Sequence, residues 1–235
     1  MQSLDWASAE PDTVLNFWFP TDGHETDFDT HSAFWKWRMR GGADVAIRER
    51  YSNLTEAAAK GQLDHWVETP RGRLALVIAL DQFSRSVWRG TPAAFAQDIK
   101  ATRLVLDGLK NGHYDALPHV WEKAFCLIAN AHCEGPDHLE RMERSLSLAK
   151  ALVETAPEHL RVSYRVVEDQ NRLARDVVAK FGRHPHRNAV LGRVSTLAEE
   201  AYIAAGEFPH ERKIPPTKEG IEQMLAKRAP GQFRR

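Results

Sequence analysis

Apolar positions recur along this chain with helical periods, and turn residues punctuate them. Between 44 and 60, Ile47, Tyr51, Leu54 and Ala58 follow one another at steps of 4, 3 and 4, and Gly61 supplies a stop. That spacing puts the four on one face of a helix. Residues 12–19 read as a short apolar helix, with Pro11 suited to a first turn that needs no N–H from it. Thr69-Pro70 and Thr91-Pro92 each join a hydroxyl cap to a first-turn proline, predicting helices from 70 to Gly90 and from 92 to 111. Further helices are predicted over 117–131, from Pro136 with Leu139, Met142, Leu146 and Ala149 on one stripe, and over 157–181 up to Gly182. Thr196-Leu-Ala-Glu199 has the capping-box pattern and leads a short helix ending at Gly206.

Strand-like alternation bounded by turns is missing, so the predicted class is all-α, with about eight or nine helices. Turns this short between neighbouring helices imply stacked antiparallel hairpins. A repeat of about 34 residues with the W-x2-L-G-x2-Y pattern is not found. Residues 1–206 are expected to form a single domain. Residues 207–235, with Pro215-Pro216, Lys218, Lys227, Arg228, Arg234 and Arg235, are expected to be a tail or an appended helix whose basic bias serves solvation.

Composition narrows the function classes. In 235 residues, 43% hydrophobic and 27% charged, one ordinary soluble domain is the expectation. Lys+Arg and Asp+Glu both number 32, so there is no basic excess for nucleic acid or for an anionic membrane surface. The start, MQSLDWASAEPD, has neither a basic nor an apolar signal region, and the longest apolar run, Leu74 to Leu80, is too short for a bilayer. The two cysteines, Cys126 and Cys133, read as reduced and buried, which points to the cytoplasm. Phe17, Trp18, Phe19, Trp35 and Trp37 read as packing residues.

Three polar stretches interrupt this apolar pattern. In LALVIALDQFSRSVW, apolar on every side for two turns and therefore the expected central helix, Asp81 and Arg85 fall at i and i+4 on the stripe of Leu74, Val77 and Trp88. Such a pair is either a structural ion pair or an Asp81 that orients Arg85 toward an anion, with Gln82 close by. In Asn130-Ala-His-Cys-Glu134, His132 and Glu134 lie where a helix ends at Gly135-Pro136. They suit a general acid–base pair, metal ligands, or capping of helix carbonyls. In RHPHRN, after Gly182, His184, His186, Arg187 and Asn188 form either an anion cradle or a loop that satisfies helix carbonyls.

Taken together, VLNFWFP, RERYSNLTEAAAKGQLDHW, TPRGRLALVIALDQFSRSVWRGTPAAFAQD, a His-x-Glu after the fifth helix and FGRHPHRNAVLGRVST resemble, in this order, a bacterial family catalogued as domain of unknown function 924. The likeness spans residues 11–206, and DQFSR and PHRN are its most specific parts. It implies a tetratricopeptide-like helical fold with no established activity, and motif residues at Asp81, Gln82, Arg85, His132, Glu134, His186, Arg187 and Asn188. The chain departs from the family pattern at His184, where an aromatic is usual, and before His132, where Met-Pro is usual. The stretch WKWRMRGG, 35–42, is also atypical.

The expected function is a pocket for a small anionic molecule, lined by Asp81, Gln82, Arg85, His186, Arg187 and Asn188. If the site is catalytic, His132 and Glu134 are its acid–base pair and the reaction a hydrolysis. The alternative is a peptide- or protein-binding scaffold in which the polar cluster is only structural. No cofactor is named and no metal ligand assigned; a homodimer is allowed but not demanded.

Overall fold

In the computed structural model, which describes residues 4–228, this punctuation becomes ten helices with no strand among the described residues. They are α1 (Pro11–Trp18), α2 (Phe28–Met39), α3 (44–59), α4 (70–87), α5 (Asp98–Lys110), α6 (Val120–His132), α7 (His138–Thr155), α8 (Arg161–Phe181), α9 (Leu197–Ala205) and α10 (Lys218–Ala226). Met1–Ser3, and the basic Arg234 and Arg235 at the other end, lie outside the described residues.

Where the elements differ from expectation, a local reason is visible. Thr91 donates its hydroxyl to the Trp88 carbonyl at 2.8 Å and caps nothing, so Pro92–Phe95 forms a separate 3-10 turn before α5 begins at Asp98. Pro136 lies in the turn ahead of α7, and Glu158–Leu160 is a 3-10 turn ahead of α8. Helix α2 carried no apolar signal because its buried face consists of His31, Phe34 and Arg38. Helices α3 and α4 are each widened by a π turn, at Ile47–Tyr51 and Ile78–Phe83. Single π turns of this kind occur often at functional sites.

Helix α4 is the centre of the molecule, as its apolar run requires: every residue from Leu74 to Ser84 is buried. It packs against α1 and α5; α5 packs on α6, α6 on α7 and α7 on α8, giving the antiparallel succession expected of short connections. The core is one cluster joining α1 through the start of α8. At its heart Trp18 sits edge-on to Phe83 and Phe125, with centroids 5.6 and 5.5 Å away, and Trp35 stacks on Phe125 at 5.1 Å. Trp37 packs edge-on against Phe17 at 5.8 Å but remains 39% exposed, outside the core. Cys126 and Cys133 are free and buried. Beyond α8 the chain turns back, and α10 rests on α8 through Ile221. Among the described residues no helix is long and apolar enough to cross a membrane.

This arrangement brings the three polar stretches together. The π turn of α4, the last turn of α6 and the 3-10 turn Pro185–Arg187 after α8 meet at one end of the bundle.

Candidate functional site

The site is built outward from Asp81, which has no exposed surface. Its Oδ1 accepts a hydrogen bond from His132 Nδ1 at 2.8 Å, and its Oδ2 accepts from Gln82 Nε2 at 2.5 Å. Arg85, one turn on, donates to the Asp81 carbonyl at 2.6 Å and lies 3.1 Å from Oδ1. A carboxylate this deep survives only because these partners replace water. Burial alone would raise Asp81, but Arg85, His132 and the hydrogen bonds from His132 and Gln82 hold it below the usual carboxylate range.

His132 is therefore oriented by an ionised carboxylate. Because Asp81 accepts at Nδ1, the neutral ring carries its proton there and leaves Nε2 as a bare lone pair. Burial, and then Arg85, push His132 below the ordinary histidine value despite Asp81, so this neutral form prevails at neutral pH. The ring is 25% exposed and the Arg85 side chain 21%, so both reach the surface beside each other.

A second layer ties this pair to the turn after α8. Asp98, in the first turn of α5, takes Arg85 on Oδ1 at 2.9 Å and Arg187 on Oδ2 at 3.1 Å. Arg187 also donates to the His132 carbonyl at 2.9 Å. Both guanidiniums lie over the Phe95 ring, at 5.7 and 4.5 Å, which is how the 3-10 turn before α5 enters the site. Asp98, Phe95 and Arg193 escaped the sequence reading. The signal was present in TPAAFAQD, but nothing there says that an aromatic and a carboxylate outside the expected stripe will face Arg85.

Glu134 does not partner His132. Its carboxylate pairs with Arg193 and accepts the His184 backbone N–H at 2.7 Å, so it clamps the turn that carries PHRN. Asn188 also holds this turn in place, because its side-chain carbonyl accepts from Arg193 at 3.0 Å and its amide donates to Ser195 at 2.9 Å. The imidazoles of His184 and His138 both reach the Ala131 carbonyl, at 3.1 and 3.0 Å, and satisfy the end of α6. His186 lies against His210, with ring centroids 4.4 Å apart, and its buried Nδ1 has no partner among the described residues. Burial, then His210 and Arg187, push it down to about 2, so it stays neutral.

The cationic excess expected of RHPHRN is largely consumed. Both of its cations are spent, Arg187 on Asp98 and Arg183 on Glu199 at 2.6 Å, and its imidazoles are uncharged; Arg193, just beyond it, is taken by Glu134. Among the described residues the Nε2 of His132, on a ring 25% exposed, has no hydrogen-bond partner, and the ring lies near Arg85. No group of three or more His, Cys, Asp or Glu side chains among the described residues is arranged to hold a metal ion.

The comparisons agree with this architecture. A solved structure of a protein of unknown function, ATU0120 from Agrobacterium tumefaciens, is similar with a TM-score of 0.59 and 27% identity, covering 83% of this chain and 97% of that one. No curated protein matches. The family described as "Bacterial protein of unknown function (DUF924)" matches residues 14–207, which include α4, α6, the PHRN turn and every residue of the Asp81–His132 network. The chain belongs to that DUF924 family.

Proposed function

We propose that this protein binds a small anionic molecule at the exposed edge of the Asp81–His132–Arg85 group and hydrolyses it, with His132 as general base. The observation that carries this reading is the pairing of His132 Nδ1 with a fully buried carboxylate while Nε2 is left free beside a guanidinium. An imidazole held this way takes a proton from water at Nε2, and Asp81 stabilises the imidazolium that results. Arg85, locked by Asp81 and Asp98, is placed to meet negative charge on the substrate or in the transition state. Asp81 thus replaces Glu134 as the partner of the base, and Glu134 supports the turn.

A second reading has its own observation. Arg85, Arg187 and Arg193 are matched by Asp81, Asp98 and Glu134, a balance that a purely structural network would also show. One experiment separates the two. Thermal unfolding is followed with short dicarboxylates and inorganic phosphate, and chromogenic esters bearing a carboxylate or a phosphate are assayed, on the wild type and on Arg85→Gln and His132→Gln. A ligand at 100 times its Kd adds about 2.7 kcal/mol to the folded state. The proposal expects such a rise in the wild type that Arg85→Gln loses, and hydrolysis that His132→Gln lowers by about 10²-fold or more. A wild type indifferent to every anion and inert to every ester leaves the structural network as the function of the cluster.

A further inference from the structure

A second cluster of guanidiniums, which shares no ion pair with the His132 group among the described residues, lies where the C-terminal segment meets α8. Asp169, on α8 and only 4% exposed as a side chain, is paired with Arg172 of its own helix and with Arg212 and Arg228 of the segment that follows α9. Three guanidiniums on one carboxylate leave an excess of two positive charges at a partly buried place. Burial and then the repulsion from Arg228 and Arg172 work against the charge on Arg212, and Asp169 alone offsets them.

The arrangement of Arg212 is specific. Its side chain is 10% exposed, and one terminal nitrogen, Nη1, is used by Asp169. Its Nε and Nη2 are buried and have no hydrogen-bond partner among the described residues. These two nitrogens share one edge of the planar guanidinium. That edge presents two parallel N–H bonds and matches two oxygens of one oxyanion. Leaving it bare would cost the desolvation of two charged donors. The backbone around Arg212 is held as well: Arg40, from the atypical 35–42 stretch, donates to the His210 carbonyl at 3.1 Å and to the Arg212 carbonyl. Arg40 and Asp169 therefore fix the segment at two points, one through its backbone and one through the Arg212 side chain.

We infer that Arg172, Arg212 and Arg228 form a binding site for a small inorganic oxyanion of the phosphate type, which clasps the C-terminal segment onto α8. A dianion neutralises the excess charge, two of its oxygens take the Nε/Nη2 edge of Arg212, and Arg172 and Arg228 flank it from the rim. Asp169 orients Arg212 as Asp81 orients Arg85, but the site is separate from His132 and does not depend on any reaction there.

The test is a calorimetric titration of inorganic phosphate into the full chain in phosphate-free buffer, on the wild type, Arg212→Lys, Arg228→Gln and Arg85→Gln. The expected result is a phosphate site that persists unchanged in Arg85→Gln, the variant that removes the anion binder proposed beside His132. Arg212→Lys keeps the charge but loses the two-donor edge, and binds about tenfold more weakly or worse. Arg228→Gln, a change at the rim that leaves Arg212 in place, also weakens binding. Phosphate should in addition slow proteolysis between 207 and 217 in the wild type and not in Arg212→Lys. Should Arg212→Lys fail to fold by circular dichroism, Arg228→Gln and the proteolysis of the wild type carry the test. Absence of phosphate binding, or binding untouched by both Arg212→Lys and Arg228→Gln, overturns the site. Loss of all phosphate binding in Arg85→Gln also overturns it, because the anion then sits at the other cluster.

Discussion

At the scale of single residues, this protein buries polar groups by fixing their protonation and then surrounding them. Asp81 dictates the tautomer of His132, so Asp81→Asn is the sharpest probe of the proposed chemistry. An asparagine amide donates to Nδ1, moves the ring proton to Nε2 and removes the base without removing volume. Hydrolysis should fall by about 10²-fold in a variant that still folds, no further than in His132→Gln, and the wild-type rate should rise with pH through the depressed His132 value and then level off. A rate that falls as pH rises on the acid side contradicts this role. A second buried pair gives a stability prediction. His31 is wholly buried, and its Nε2 accepts from the Trp35 indole N–H at 3.0 Å, so its neutral proton lies on Nδ1, facing His24 Nδ1 at 3.4 Å. Burial and then His24 push His31 down to about 4, against 6.5 ordinarily. A folded value below the unfolded one means that the unfolded chain takes up the proton first. Stability is therefore complete above about pH 6.5 and is lost as pH falls toward about 4, by about 3 kcal/mol for this group. Urea midpoints measured from pH 7.5 to 4.5 should show the slope, and His31→Gln, which still accepts from Trp35, should reduce it but not abolish it, because burial also lowers His132, His184 and His186.

At the scale of elements, glycines with different surroundings separate two kinds of constraint. Gly72 lies in the first turn of α4, where Thr69 caps the helix by accepting the Gly72 N–H at 3.0 Å. A Cβ at Gly72 would lie 2.2 Å from the Trp66 carbonyl oxygen, so Gly72→Ala must push the turn Asp64–Glu68 off α4. A loss of about 1–3 kcal/mol is expected in urea unfolding. Gly182 closes α8 with φ +70° and open space around it, so its restriction is purely conformational. Gly182→Ala should cost about 1 kcal/mol, and Gly182→Asn clearly less, since asparagine tolerates the left-handed region. Equal costs for Ala and Asn there would point to packing instead.

Over the whole molecule, stability is unevenly distributed. The main core joins α1 to the start of α8, Ala131, Met142 and Val178 form a small separate cluster, and α9 and α10 contribute Ile221 as their one buried apolar side chain. The segment after α8 is held by ion pairs, Arg183 with Glu199 and Arg212 and Arg228 with Asp169, and by ring contacts among Phe181, His186, Tyr202, Phe208 and His210. Hydrogen exchange read by mass spectrometry should therefore show α9 and α10 opening locally, well before α4 and α6, whose exchange should track global unfolding. Raised salt should speed exchange in α10 and leave α4 unchanged. Protection of α10 equal to that of α4 is the result that would refute this division.

The sequence by itself determined the helical class, the central place of LALVIALDQF, most helix boundaries and the three polar stretches, because these depend on local period, capping and turn chemistry. It could not announce α2, whose buried side is His31, Phe34 and Arg38 rather than an apolar stripe, nor the π turns, which shift register without a residue signature. Pairing within the site was decided only by the tertiary structure. Glu134 is two residues from His132 yet faces Arg193, while Asp81, 51 residues away, holds the imidazole. Asp98 is buried between two arginines that the chain keeps 102 residues apart from one another, at 85 and 187. Which charge meets which depends on how helix ends converge, and that is set by the packing of α4, α6 and α8, far from the charges themselves.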